Sequence, residues 1–350
     1  MNTELMQALE DLEREKGVDK EVLFQAIESA LISAYRRNFG SAQNVRVQIN
    51  RQTGGTEVYA QKTVVSQVQD HRLEVSVDEA RDVQPGALEG DIVEFEITPK
   101  NFGRIAAQTA KQVIVQRIRE AERGMIYDEY SGREGDIVTG MVQRVERGLV
   151  FIDLGRTEAI LMPSEQVPGE MLRPNERVKL YVVEVKKTTK GPQVYLSRSH
   201  PGLIRRLFEL EVPEIHDGVV EIRGIAREAG ARTKIAVWAE DANVDPVGAC
   251  VGAKGQRVQA IVNELKGEKL DIIAWDPDPA VFVSNALSPA HVTEVTIEED
   301  NRSARVIVPD NQLSLGIGKE GQNARLAAKL TGWRVDLHSE SQVGRGGFWS

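Results

Sequence analysis

The chain has 350 residues, of which 41% are apolar and 28% charged, so it is long enough to fold as several small domains. Its formal net charge of −9 argues against a broad basic surface, and the lack of an apolar run of about 20 residues, with an acidic amino terminus, predicts neither a membrane span nor an export signal. A single cysteine excludes an internal disulfide framework, and five scattered histidines predict no metal or cofactor. We expect a cytoplasmic protein.

The first third of the chain, residues 1–130, has the pattern of an α+β domain that ends in a long connector helix. Asp19 can cap a helix whose apolar stripe ends near Gly40. Four alternating segments then predict strands at 44–50, 56–65, 72–80 and 91–97. This third carries most of the net negative charge of the chain, with 16 basic and 22 acidic residues.

A helix is predicted after Pro99, with alanine, valine and isoleucine on one stripe. Its other positions carry a series of cations, namely Arg104, Lys111, Arg117, Arg119 and Arg123. The simpler interpretation of these charges is a solvated helix face, and the alternative is a binding face.

Residues 131–200 predict a closed barrel of the OB type. Five short alternating segments, punctuated by glycine or proline, lie at 136–145, 148–154, 157–162, 177–185 and 192–197, with room for a short helix after Pro163. Such barrels bind single strands through cations and a few aromatic residues, and the candidates here are Arg144, Arg147, Phe151, Lys186, Lys187 and Arg198. Other small barrels share the pattern, so the function depends on what surrounds it.

The last 150 residues contain an internal repeat with an offset of 66 positions. VGAKGQRVQAIVNEL, starting at Val251, aligns with IGKEGQNARLAAKL, starting at Ile317, and each copy lies between strand-like segments. Two copies of one strand–helix–GxxG–helix–strand unit predict two domains of the same kind. We assign them to 201–277 and 278–344, followed by a short tail at 345–350.

The repeated GxxG elements indicate binding of a nucleic-acid backbone. Their residues are Gly252, Ala253, Lys254 and Gly255 in the first copy and Gly318, Lys319, Glu320 and Gly321 in the second. Without a Cβ at either end, the turn can approach sugar and phosphate closely, while the amides of the following helix face an anion and the lysine adds a charge. This is how KH domains hold about four nucleotides. Arg257 and Arg325 extend the positive edge, whereas Glu320 predicts a weaker second loop.

Other interpretations of these elements fit less well. A lone GxxG can be an ordinary corner between helices, but two copies in the same context are harder to explain in that way. A phosphate-binding NTPase loop requires GxxxxGK followed by serine or threonine, which neither copy has. Cys250 lies in an apolar helix with no histidine nearby, which favours a packed thiol over a nucleophile. The sequence therefore predicts no active site, and a protein that is not an enzyme.

Three segments resemble one protein family. They are the amino-terminal FQAIESALISAYRR, the helix from Phe102 to Arg123, and LSRSHPGLIRRLFELEVPEI from Leu196 to Ile215. With the barrel and the paired KH units, the chain is similar over nearly its whole length to the NusA family of bacterial transcription elongation and termination factors.

The resemblance implies more than the residue patterns alone. It implies that residues 1–130 bind RNA polymerase near the RNA exit channel, and that the barrel and two tandem type II KH domains form one surface for emerging RNA. It places Arg104 and Lys111 near polymerase or exiting RNA, and Arg198 on the RNA surface of the barrel. The expected partners of this monomeric protein are core RNA polymerase, nascent single-stranded RNA and other transcription or antitermination factors.

The uneven charge fits such a mechanism. Docking of the acidic domain on polymerase would hold weak RNA-binding modules at high effective concentration beside the transcript, and so would alter pausing, termination and antitermination. Two other functions stay open at this point. An RNA-processing enzyme would need a catalytic core for which the chain has no space, and a translation-associated RNA binder would leave residues 1–130 unexplained.

Overall fold

The structure is a computed structural model that describes residues 2–40 and 44–345. The chain divides into two compact units, Met1–Ile126 and Tyr127–Ser350. The predicted tail at 345–350 lies outside the described residues except for the backbone of its first residue.

The first unit is an α+β domain, as predicted. Its elements are α1 (Asn2–Lys16), α2 (Lys20–Phe39), β1 (Asn44–Ile49), β2 (Thr56–Val65), β3 (Glu74–Ser76), α3 (Val77–Val83), β4 (Ile92–Glu96) and the long α4 (Phe102–Ser131), whose last residues belong to the second unit. β2 is the central strand and pairs with all three others. The predicted cap of α2 is confirmed, because the Asp19 carboxylate accepts a hydrogen bond of 2.7 Å from the Glu21 amide.

One predicted strand of this unit is extended over only three residues. Residues 72–80 alternate as a strand would, but only Glu74–Ser76 are extended, and α3 begins at Val77. The Ser76 hydroxyl accepts a hydrogen bond from the Glu79 amide, which caps the new helix. Serine followed three residues later by glutamate is a helix-start signal, and here this local cap prevails over the alternation.

The second unit begins with the predicted five-stranded barrel. Its strands are β5 (Ile137–Glu146), β6 (Leu149–Asp153), β7 (Glu158–Leu161), β8 (Arg177–Thr188) and β9 (Gly191–Ser197), and they close in the order β5-β6-β7-β9-β8. The short helix after β7 is a 3₁₀ turn at Pro163–Glu165. Gly140 allows the closure, since a Cβ there would overlap the side chain of Ile152.

Two domains of the same topology follow the barrel. The first contains α5 (Pro201–Glu211), α6 (Pro213–His216), β10 (Glu221–Glu228), β11 (Arg232–Trp238), α7 (Pro246–Val251), α8 (Gln256–Glu264) and β12 (Lys269–Ala274). The second contains α9 (Pro279–Ala286), β13 (Glu294–Glu298), β14 (Ser303–Val308), α10 (Leu313–Ile317), α11 (Gln322–Thr331) and β15 (Arg334–Ser339), and α12 (Glu340–Arg345) follows. In each, the middle strand pairs antiparallel with the preceding strand and parallel with the last. These are tandem type II KH domains, which confirms the predicted fold class.

The second KH domain packs on the sheet of the first. Ala236 and Ile273, on the face of that sheet opposite α7 and α8, belong to the same apolar core as Val283 and Val306 of the second domain. α11 crosses β10 closely at Gly224, where a Cβ would lie only 3.3 Å from a methyl group of Leu330. The two domains therefore share one continuous core.

Charged groups are buried beside this core. The Lys234 side chain is fully buried on β11, and its ammonium donates to Asp271 Oδ2 at 2.9 Å and to the Ser288 carbonyl at 2.7 Å. Arg232 donates to both oxygens of the same carboxylate. Burial opposes the charge of Asp271, but the Arg232 hydrogen bonds and the Lys234 charge outweigh it and hold the pKa of Asp271 below its usual value of 3.8.

Stability should therefore depend on the charge of Asp271. Because its folded pKa is the lower one, its stabilising effect is complete above the unfolded pKa and is lost as the pH falls through the folded pKa. Asp271→Asn leaves Lys234 unpaired, so we expect a loss of about 3 kcal/mol in the free energy of unfolding at pH 7. That loss should shrink below about pH 4, where the unfolded parent chain begins to bind a proton at Asp271, and it should be smallest below the folded pKa, where the folded carboxylate is neutral as well.

Urea unfolding of the parent and the variant at neutral and acidic pH measures both effects. Asp300→Asn, in the exposed turn between β13 and β14, is the control and should change little at either pH. A loss from Asp271→Asn that is the same at both pH values would contradict this account.

Candidate RNA-binding site

The two GxxG loops have the same backbone geometry. The first glycine, Gly252 or Gly318, has φ of 73° or 76°, and the last has φ of 78° or 74°. The second central residue is also left-handed, with φ of 52° at Lys254 and 54° at Glu320. These values favour glycine at both ends and give the two loops one shape, although their sequences differ.

Close packing beneath each loop makes the first glycine necessary. A Cβ on Gly252 would lie 2.7 Å from Cγ of Arg257, and a Cβ on Gly318 would lie 2.8 Å from the backbone nitrogen of Asn323. Arg257 and Asn323 occupy equivalent positions of the repeat, and both donate to carbonyls of the preceding helix, at Ala249 and Gly316. The two loops are thus supported from below by different side chains in the same place.

The loops have the chemistry of an anion site. Ala253, Lys254, Lys319 and Glu320 are all exposed. The helices that follow, α8 and α11, start without a side-chain cap. Their first amides, at Gln256 and Gln322, donate to the loop carbonyls of Ala253 and Lys319. A helix start that no side chain caps, beside a lysine, suits a phosphate. The lysine lies at the second central position in the first loop and at the first central position in the second.

Both arginines predicted at the loop edges have partners within the protein. Arg257 donates to Glu214 Oε2 at 2.8 Å, and Arg325 donates to Glu228 Oε1 at 2.6 Å. Each guanidinium therefore stands beside a carboxylate that offsets its charge. A contact of either residue with RNA remains a prediction.

The predicted position of Arg198 on the RNA surface of the barrel is wrong. Its side chain is only 1% exposed, and it pairs with Glu170 and with Glu264 of α8. It also donates to the carbonyls of Lys179 and Glu264 at 2.8 and 2.9 Å. Burial opposes the charge, but the two carboxylates outweigh that effect and raise the pKa of Arg198. A guanidinium so enclosed has no surface for RNA, and it joins the barrel to the first KH domain instead.

The other barrel candidates lie on the surface, partly stacked on aromatic rings. The Arg144 guanidinium lies 3.7 Å from the centre of the Phe151 ring, and the Lys186 ammonium lies 5.2 Å from that of Tyr195. Lys187 lies 4.1 Å from the ring of Tyr127. Cation–aromatic surfaces of this kind suit nucleobases. Sequence reasoning missed both tyrosines: the alternation of β9 could have indicated Tyr195, whereas Tyr127 lies at the end of α4 and gives no such signal.

Cys250 is fully buried in α7. Burial raises the pKa of its thiol to about 12, so it is protonated at neutral pH, as a packed thiol would be. In residues 2–40 and 44–345, no group of three or more histidine, cysteine, aspartate or glutamate side chains is placed to hold a metal ion. Over the same ranges, no helix is both long and apolar enough to cross a membrane.

Arg104 and Lys111 lie in the first unit, exposed on α4. Both line an open apolar groove of about 690 Å³ between α2, α4 and the turn after β1. The remaining wall is formed mainly by aliphatic side chains, including Ile27, Leu31 and Ile114. The structure thus brings these two predicted residues together beside an apolar surface.

An OB barrel followed by two KH domains with matched GxxG loops defines a multidomain RNA-binding protein. Four family models match consecutive parts of the chain: the NusA N-terminal domain at residues 4–124, the S1 RNA binding domain at 132–197, the NusA-like first KH domain at 198–275 and the NusA-like second KH domain at 279–345.

Full-length relatives agree with these matches. The chain is 60% identical over 343 residues to the transcription termination/antitermination protein NusA of Bacillus subtilis, covering 98% of this chain and 92% of the relative. It is 44% identical over 351 residues to NusA of Thermus thermophilus, covering 97% and 90%. A solution structure of the N-terminal domain of NusA from B. subtilis is 61% identical and covers 35% of this chain and 99% of that one, with a TM-score of 0.33.

The chain therefore belongs to the NusA family of transcription termination/antitermination proteins, with RNA-binding S1 and KH domains. This family consists of transcription factors, which agrees with the interpretation of the sequence as a protein without an active site.

Arg198 gives a prediction about stability. Arg198→Met keeps much of the volume but leaves the buried carboxylate of Glu170 without its partner, while Glu264 keeps only Lys179. We therefore expect a loss of about 3–5 kcal/mol in the free energy of unfolding. Urea unfolding of the full chain measures it. Arg177→Met, an exposed arginine on β8, is the matched control and should change stability by less than about 0.5 kcal/mol. Equal losses in the two variants would contradict the burial argument.

Proposed function

We propose that this protein binds RNA polymerase near the RNA exit channel through its first unit, and binds the nascent transcript through the barrel and both KH domains. By holding or releasing RNA there, it modulates pausing, termination and antitermination in the cytoplasm. The division into 1–130, 131–200, 201–277 and 278–344 is part of the proposal, and the ranges of the four family models support it.

The matched GxxG loops carry this proposal. Two loops of one geometry, each with an exposed lysine and an uncapped helix start, provide two backbone-holding sites on one chain. The proposed contacts are Gly252, Ala253, Lys254, Gly255, Gly318, Lys319, Glu320 and Gly321, with Arg257 and Arg325 at the edges.

The apolar groove on the first unit supports the proposal that this unit binds RNA polymerase. An apolar surface bordered by the cations Arg104 and Lys111 suits a protein segment with an apolar face and acidic flanks. The excess of acidic over basic residues in the chain, 53 against 44, also favours tethering. Held on polymerase, weak RNA sites work at high effective concentration and need little affinity of their own.

Disabling the first loop tests the RNA-binding role. Replacing Gly252 and Gly255 by aspartate puts two negative charges and two strained side chains where a phosphate would lie. We expect affinity for single-stranded RNA to fall about tenfold or more while polymerase binding is unchanged. Fluorescence anisotropy with an unstructured RNA measures the first, and co-purification with core polymerase the second.

A control separates this effect from backbone strain. Gly218 lies before β10, far from the loop in sequence, has φ of 77° and has open space around the position of a Cβ. Aspartate at this position therefore introduces similar backbone strain outside the GxxG element. Gly218→Asp should retain RNA affinity. If the folded variant with aspartate at both loop glycines keeps its affinity for single-stranded RNA, the first GxxG element is an ordinary turn between helices and not an RNA-binding loop.

The polymerase contact is tested by reversing charge at the groove. Arg104→Glu combined with Lys111→Glu should weaken binding of the full chain to core polymerase by about tenfold, because both cations border the apolar surface. Arg72→Glu, in an exposed turn of the same unit, is the control. Equal polymerase affinity of the double variant and the control, measured by surface plasmon resonance, would remove this groove from the interface.

A further inference from the structure

The hairpin turn between β10 and β11 lies where the barrel and both KH domains meet. On one side, a Cβ on Gly230 would lie 2.6 Å from a methyl group of Val167 and 2.8 Å from the carbonyl oxygen of Pro168, both in the barrel. On another side, Glu228 reaches α11 of the second KH domain. This short turn of the first KH domain, Glu228–Arg232, therefore contacts both neighbouring domains.

The turn is held firmly within its own domain. Arg227 and Glu268 form a bidentate pair at 2.9 Å, with side chains only 1% and 0% exposed. The same carboxylate accepts from the Gly230 amide at 2.8 Å and from the Thr233 hydroxyl at 2.6 Å. With four hydrogen bonds converging on one buried carboxylate, the backbone that carries Glu228 has a fixed position.

Glu228 makes a bonded contact with the second KH domain. It accepts from Arg325 Nε at 2.6 Å, from Arg325 Nη2 at 3.2 Å and from Gln322 Nε2 at 2.9 Å. The Arg325 hydrogen bonds are the main reason that the pKa of Glu228 lies below its usual value. The carboxylate is thus charged at neutral pH, and both of its oxygens accept hydrogen bonds from side chains of α11.

Arg325 also forms a hydrogen bond with the second GxxG loop. Its Nη1 donates to the backbone carbonyl of Glu320, inside the loop, at 3.1 Å. Glu228 on the first KH domain, Arg325 on α11 and the loop backbone of the second KH domain are therefore linked in series. The first loop differs, because its supporting Arg257 pairs with Glu214 of the same domain.

The carboxylate of Glu228 has two opposing effects on RNA binding at the second loop: repulsion of phosphate and orientation of the loop. A carboxylate beside a loop that holds phosphate weakens RNA binding by repulsion if it does nothing else. A bidentate pair with arginine, however, fixes orientation as well as distance. The geometry favours the second effect, since the arginine that Glu228 holds also bonds the loop.

We propose that Glu228 is a positioning residue for the second RNA loop. Within the docking that the shared core of the two KH domains sets, it holds the second loop in register with the first for one continuous single strand. This inference rests on the proposed RNA-binding function. A strand that spans both loops gains affinity because its second contact is intramolecular, and that gain requires a fixed geometry between the sites. A short RNA that reaches one loop gains nothing from it.

The test compares two RNA lengths on the full chain. One is an unstructured strand of about 5 nucleotides, which one loop can hold, and the other an unstructured strand of about 20 nucleotides. In the parent protein, the longer strand should bind much more tightly. In Glu228→Ala, we expect that advantage to fall by about fivefold or more, while the affinity for the short strand stays within about twofold.

Two further variants identify the cause. Glu228→Gln keeps an oxygen for Arg325 without the charge, so it should retain part of the advantage. Glu221→Ala removes an exposed carboxylate from the same strand, one that pairs at 2.8 Å with Arg223 of its own domain, and should leave the advantage unchanged. Thermal unfolding of each variant establishes that it is folded.

The outcomes separate the two proposals. If Glu228→Ala binds both RNAs more tightly by the same factor, Glu228 acts only by repulsion and the positioning role is overturned. If the long-strand advantage survives intact in Glu228→Ala, that role is overturned as well. If the parent protein has no long-strand advantage, the function of two cooperating loops fails together with the role of Glu228.

Discussion

The arrangement of the RNA-binding domains depends on charges buried where domains meet. Arg198 is enclosed between the barrel and α8, and Lys234 lies between the two KH domains with Asp271 and the carbonyl of Ser288. A buried ion pair adds little net stability over an apolar contact, but it is costly to break and accepts few geometries. Combined with the shared core around Ala236, these pairs let domains with small individual cores dock in one defined way.

The repeat shows how one fold supports two different loops. The backbone angles of the loops agree within a few degrees, yet the supporting side chain is an arginine in one and a buried asparagine in the other. The central residues differ as well, with Lys254 opposite Glu320. The first loop is supported from within its own domain, and the second is also linked to its neighbour through Arg325 and Glu228. Similar geometry therefore does not imply equal binding.

The two units of the chain differ in chemical character. The first unit is acidic overall and offers an apolar groove bordered by cations, as a protein-binding domain would. The second offers backbone amides, single lysines and stacked cation–aromatic pairs, which suit a single strand held through few contacts. Under the proposed function, tethering by the first unit is what makes modest RNA affinity in the second unit sufficient.

The sequence alone determined the domain types and the GxxG loops of this protein. Alternation, glycine punctuation and the 66-residue repeat are local signals, and each reports a local structure: the barrel strands, the left-handed loops and the cap at Asp19. Two local signals compete at 72–80. The Ser76 cap starts a helix at Val77, and the strand that the alternation predicted there is wrong beyond Ser76.

Only the tertiary structure decided which cations are available to RNA. Arg198 looks like any surface cation in sequence, because its partners Glu170 and Glu264 lie 28 and 66 residues away. Arg325 looks like a free edge of the loop, but its partner Glu228 lies 97 residues away in the other KH domain. A charge is neutralised by what lies within a few ångströms in space, and sequence spacing does not report that distance.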